Sequence, residues 1–113
     1  MRIAAWPLAL LFAATAARAD PCDHATTQTE LNVCAAENYR TADTALNETW
    51  ADLGRAAQAR LRTGQRGWLA DRETKCRSLA AEAKGGTIYP LLYFGCLTDW
   101  TRERVRWLKA HAP

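Results

Sequence analysis

Apolar and polar residues follow one another along most of the chain with the period of a helix, not that of a strand. No run of alternating β-branched residues occurs, and Ala, Leu, Arg and Glu dominate, all residues that a helix accommodates at little cost. Three segments have this pattern. Thr27-Gln28-Thr29-Glu30 fits a capping box and predicts a first helix running to about Gly54 or Ala57. Its apolar arc is Ala35, Tyr39, Ala42, Leu46, Trp50 and Leu53. A second helix is expected from Ala59 to about Lys84, where Gly85-Gly86 ends it; Gly64 and Gly67 inside it cost up to about 1 kcal/mol each relative to alanine. A third starts near Thr87 and tolerates Pro90 only in its first turn. It sets Tyr89, Leu92, Tyr93, Cys96, Trp100, Arg104 and Trp107 on one arc, and the pattern leaves its continuity past Thr101 open. The predicted fold is all-α, a three-helix antiparallel bundle.

One stretch departs from a plain apolar face. In "QRGWLADRETKC" and its flanks, a projection of about 100° per residue puts Leu61, Gln65, Trp68, Leu69, Arg72, Cys76 and Leu79 on one arc. A charge on such a face needs a partner, because an isolated buried charge is expensive. Asp43, on the edge of the first helix's arc, is the expected partner of Arg72, with Gln65, Asn47 or Arg104 extending an inward cluster that fixes helix register. The competing reading lays the methylenes of Arg72 along Trp68 and sends its head to water. Trp50, Trp68, Trp100 and Trp107 each fall on an apolar arc, so core packing is expected of them before any role as a ligand platform.

The N-terminus changes the setting. Arg2, an apolar run from Ile3 to Ala17 and the small-x-small site Ala17-Arg18-Ala19 read as a cleaved signal peptide over residues 1–19. Residues 20–113 then form a single helical domain, periplasmic or secreted. Cys22 follows Asp20-Pro21, which is not a lipid-attachment context, and no second apolar run approaches the roughly 20 residues of a membrane span. Cleavage removes Arg2 and Arg18, and the formal charge falls from +3 to +1. So weak an overall charge gives little steering toward nucleic acid or membranes.

Four cysteines in an exported chain this small imply disulfides, since a modest core gains from cross-links. No C-x-x-C pair is present and Cys22-Asp23-His24 has no usual zinc spacing, so no metal is expected. Cys76 lies ten residues before Gly86 and Cys96 ten after it, level with each other in a hairpin that turns at Gly85-Gly86. Cys34 projects away from the first helix's core arc, toward a tail that brings Cys22 back over it. The expected bridges are Cys22–Cys34 and Cys76–Cys96.

Catalytic groups are scarce. His24 and His111 lie near the two ends of the mature chain, and neither is spaced with a nucleophile. Glu48 and Asp52 stand at i and i+4, the usual spacing of a solvated helix face, and the glycines form no phosphate loop. No catalytic residue and no cofactor is expected.

The ordered set "TQTELNVC", "ADTALNETW", "GQRGWLADRETKC", "GGTIY" and "CLTDWTRERVRWL" resembles the LprI-type lysozyme inhibitor family, small exported bacterial domains, over nearly all of the mature chain. Asp43, Asn47, Gln65, Trp68, Arg72 and Arg104 belong to the shared pattern, as do Cys34, Cys76 and Cys96. The resemblance implies a helical, disulfide-linked, non-catalytic binding protein with a lysozyme as its partner. The alternative is a periplasmic interaction or envelope-stress module whose partner is an unrelated cell-envelope protein or the cell wall. Animal-type lysozymes are basic, so an inhibitor with this overall charge needs local acidic or hydrogen-bonding groups.

Overall fold

A computed structural model describes residues 22–112; the expected signal peptide lies outside them. The chain forms α1 (Gln28–Asp52), α2 (Arg55–Ala80) and α3 (Tyr89–His111), with a single 3₁₀ turn at Ala81–Ala83. Among the described residues there is no strand, and the fold is an all-α three-helix bundle joined by two disulfides.

Local chemistry sets the helix ends. Thr27 caps α1: its Oγ1 accepts from the Glu30 N–H at 3.1 Å and donates to the Glu30 carboxylate at 2.9 Å, which satisfies one of the orphan donors of the first turn. Gly54, at φ 79°, takes a left-handed conformation that side chains resist, so α1 stops there and α2 begins at once. The second helix therefore starts four residues earlier than its apolar pattern suggested. At the other end, Gly85 at φ 85° reverses the chain into α3. Pro90 occupies the first turn of α3, where its missing N–H has no helical partner to lose. α3 runs unbroken through Thr101 to His111.

Two C-termini are capped from a neighbouring helix. Gln58 donates its side-chain amide to the Trp50 carbonyl at 2.8 Å, and Arg60 donates to the His111 carbonyl at 3.1 Å. Both satisfy carbonyls that the helix itself leaves open, and the arginine also complements the negative end of the α3 dipole.

The topology is up-down-up. Asn32 donates to the Thr87 carbonyl, Tyr39 packs on Phe94, and Thr49 and Lys109 line one hollow at the far end, so α1 and α3 run parallel. α2 runs antiparallel to α3, as Cys76–Cys96, Arg72–Thr101 and Arg60–His111 show. The α1–α3 interface is the most extensive and α2 packs mainly on α3, while the α1 and α2 backbones approach each other little.

The core is thin and built of small residues. Ala35, Ala42 and Leu46 of α1, Ala57, Cys76 and Ala80 of α2, and Leu97, Thr98, Thr101 and Leu108 of α3 are buried. On α3 the buried positions are displaced from the predicted arc. Tyr89, Leu92, Tyr93, Cys96, Trp100, Arg104 and Trp107 are only half-buried, because the residues that face α1 sit one position further along. α3 has two neighbours, and the strongest run of large residues faces the less intimate one. On α2, Leu69 and Leu79 are exposed, Leu79 at 60%; the polar Gln65 and Arg72 take the inner positions instead.

Cys22 pairs with Cys34 and Cys76 with Cys96, at Cα separations of 5.2 and 5.5 Å. The first bridge folds the N-terminal segment over α1 and seats Cys22 beside Leu91, Gly95 and Thr98 of α3. The second ties the two helices of the α2–α3 hairpin. For a core this small, each closed loop stabilises by about 3 kcal/mol in the chain-entropy picture. The Cys76→Ser/Cys96→Ser variant is expected to lose about that much in urea unfolding while keeping its far-UV helical signal.

Candidate functional site

Of the polar residues singled out by sequence, Gln65, Arg72 and Arg104 lie at the seam where α2 meets α3, Asp43 reaches it from α1, and Arg72 is at the centre. It is 5% exposed. Its Nη1 donates to the Thr101 hydroxyl at 3.0 Å, and Thr101 is itself fully buried. Asp43 of α1 lies 3.8 Å from the same nitrogen and Glu73 3.9 Å from Nη2. The guanidinium also sits over the Tyr39 and Trp68 rings, 5.4 and 5.2 Å from their centroids, a cation–π arrangement that strengthens as water is excluded. Its Nε is buried with no hydrogen-bond partner among the described residues.

These distances rank the partners. The contact with Asp43 exceeds hydrogen-bond length, and the Asp43 side chain is 38% exposed, so water screens much of that attraction. The bond to Thr101 is shorter and dry. Arg72 thus fixes α2 against α3 first and reaches α1 second, through Asp43 and the Tyr39 ring.

Gln65 and Arg104 form a separate pair, two turns from Arg72 along α2 and one turn from Thr101 along α3. Arg104 Nε donates to Gln65 Oε1 at 2.8 Å, and the guanidinium lies 5.5 Å from the Trp68 centroid and 3.9 Å from that of Trp107. Burial lowers the basicity of Arg104, which nevertheless stays a cation under any physiological condition. Trp68 therefore joins the two clusters, with one arginine from each against its ring. Asn47 is exposed and takes no part in either.

The tryptophans do not fill the core. Trp50, Trp68, Trp100 and Trp107 are all half-buried, and three of them, with Glu103 and Arg104, line an open pocket of about 260 Å³ between α2 and α3. The cause is the register of α3: Thr101 and Leu108 take the inner positions, which turns Trp100 and Trp107 to the side. On the other edge of the α2–α3 seam, Tyr93 donates to Glu73 at 2.6 Å and stacks on Tyr89. Among the described residues no group of three or more His, Cys, Asp or Glu could hold a metal ion, and no helix is long and apolar enough to cross a membrane.

The near-neutral total hides a segregated surface. α1 has five carboxylates, Glu30, Glu37, Asp43, Glu48 and Asp52, against Arg40 alone, while α2 has seven cations against Asp71 and Glu73. The helix-by-helix charge was present in the sequence and was masked by summing over the chain.

Comparison with known proteins places this geometry. The family described as "Lysozyme inhibitor LprI" matches residues 20–108, and the chain belongs to that family. It is also 36% identical to an uncharacterized protein of Rhizobium meliloti (strain 1021), over 96% of this chain and 94% of that one. No solved structure matches.

Two measurements probe the Arg72 cluster. Arg72→Ala is expected to cost about 3 kcal/mol in urea unfolding, by leaving the buried Thr101 hydroxyl unpaired and opening a cavity, whereas Asp43→Asn should cost less than about 1 kcal/mol. A double-mutant cycle should then find stronger coupling of Arg72 to Thr101 than to Asp43. The second concerns pH. Burial raises the phenols of Tyr39 and Tyr93 above their ordinary 10.0; at Tyr39 the Arg72 cation opposes this and Asp43 and Glu73 add to it, and at Tyr93 the bond to Glu73 adds to it against the weaker pull of Arg77. A folded state that holds its proton more tightly than the unfolded chain is at full advantage below the unfolded value and loses it as pH rises through the folded one. Stability should therefore decline above about pH 10, and Tyr93→Phe should flatten that decline in urea midpoints followed across the alkaline range.

Proposed function

We propose that the chain is an exported, non-catalytic binding protein that inhibits a lysozyme by stoichiometric association. The observation that carries this reading is the family match over residues 20–108. Two disulfides fit an oxidising compartment outside the cytoplasm, where such an enzyme would be met. The segregated charge fits as well: the exposed carboxylates of α1, Glu30, Glu37, Glu48 and Asp52, share one side of the helix and offer a basic lysozyme a local acidic face that the total of +1 does not suggest. Complementary charge of this kind speeds encounter and fixes orientation more than it adds affinity.

Adding the oxidised protein stepwise to a fixed amount of lysozyme, and following lysis of cell-wall suspensions, should give activity that falls to a break at a fixed molar ratio. Glu48→Lys with Asp52→Lys should weaken the effect more at low salt than at high. A protein that leaves lysozymes of every class fully active would sink the reading.

A further inference from the structure

The pocket lined by Trp68, Trp100, Glu103, Arg104 and Trp107 is not explained by the packing of the bundle. Large rings are usually buried, and a group of them left open to solvent around one hollow is uncommon on a monomer. Two of the three rings are clamped. Trp68 lies against both Arg72 and Arg104, and Trp107 holds Arg104 and stacks on His111 at 3.9 Å. Trp100 is different: among the described residues its one aromatic neighbour is Trp68, tilted at 40° with centroids 6.5 Å apart, no guanidinium lies over its ring, and it is half-buried along the wall of the pocket. Glu103 beside it is exposed and makes no hydrogen bond or ion pair among the described residues.

The chemistry of the lining selects the ligand. A cationic guest would meet Arg104, which already occupies the cation–π positions over Trp68 and Trp107. An anionic guest would meet Glu103. A purely apolar guest would desolvate both charged groups and return nothing to them. What fits is a neutral ring with one apolar face to lie on Trp100 and a polar edge that both donates to a carboxylate and accepts from a guanidinium. Hydroxyl groups do both, and a pyranose has C–H faces between edges of hydroxyls. The volume of about 260 Å³ is at the small end for ligand pockets and suits a single ring.

We infer that this pocket binds one pyranose unit of a neutral oligosaccharide, with Trp100 as the stacking platform, Glu103 as hydrogen-bond acceptor and Arg104 as donor. The clamped neighbours hold the platform in place before the ligand arrives, which lowers the ordering cost of binding. The site lies on α2 and α3, whereas the acidic residues invoked above are on α1.

The test is titration of the oxidised protein with the neutral trisaccharide of N-acetylglucosamine and with cellotriose, read from the indole N–H resonances in NMR. At least one of the two sugars should shift Trp100 and Trp68 saturably and leave Trp50 in place. Trp100→Ala and Glu103→Gln should each weaken that binding about tenfold with an unchanged melting curve; Glu103 is exposed, so its variant serves if the tryptophan variant folds poorly. Tetramethylammonium chloride should leave the indoles unmoved. The inference is overturned if neither sugar gives a saturable shift, if Glu103→Gln leaves the affinity unchanged, or if tetramethylammonium saturates the same indoles.

Discussion

A guanidinium keeps its charge wherever it is placed, so a bundle that buries one has to be arranged around it. In this protein that group is Arg72, and each helix contributes to holding it: Thr101 of α3 by a hydrogen bond, Tyr39 and Asp43 of α1 by ring and carboxylate, Trp68 and Glu73 of its own helix on either side. Such an arrangement is not a strong source of net stability, since the cost of desolvation offsets much of the attraction. Its consequence is geometric. A slip of one residue along α2 would carry the charge away from the Thr101 hydroxyl that accepts from it. Leucine in its place would tolerate several registers; arginine tolerates one.

That constraint matters because the apolar core specifies so little by itself. Among the described residues, only Leu46, Leu97 and Leu108 are large among the buried hydrophobic ones; the others are alanines and cysteines. Small residues let α1 and α3 approach closely, but alanine against alanine has no shape that fixes alignment. The disulfides supply what packing does not. Cys76–Cys96 sets the level of the α2–α3 hairpin at one end, Arg72–Thr101 repeats that level one turn on, and Arg104–Gln65 repeats it again. Three polar or covalent ties along one seam do the work that interlocking leucines do in larger bundles.

The seam was more legible in the sequence than the core was. The spacing of Cys76 and Cys96 about Gly86 follows from antiparallel geometry alone, and the Thr27 cap and the inward arc of Gln65, Arg72 and Cys76 follow from helical period. The register of α3 did not, for a physical reason. A helix with two neighbours has two inward faces, and a projection weighted by side-chain size selects the one with Tyr93, Trp100 and Trp107. The closer partner, α1, wants the smaller residues instead, so Thr98 and Thr101 are buried while the rings turn aside. Hydrophobicity ranks tryptophan above threonine; close approach of helices reverses that order. The charge difference between α1 and α2 was hidden in a similar way, by adding opposite signs that are separated in space.

The two faces of α3 also explain why aromatic surface can stay exposed without becoming a general adhesive patch. Against α1 the contact is the more extensive one and uses small residues. Against α2 the helices are spaced by large rings, and the space between the rings is divided by charged groups: Arg72 under Trp68, Arg104 between Trp68 and Trp107, Glu103 on the rim. Each guanidinium attracts the face of a ring and keeps it from collapsing onto its neighbour, while its charge repels the casual apolar contact that bare tryptophans would invite. A cation in such a wall therefore has a structural and a selective effect at once. It rigidifies the aromatic surface, and it restricts what can settle there to molecules able to satisfy a charge as well as cover a ring.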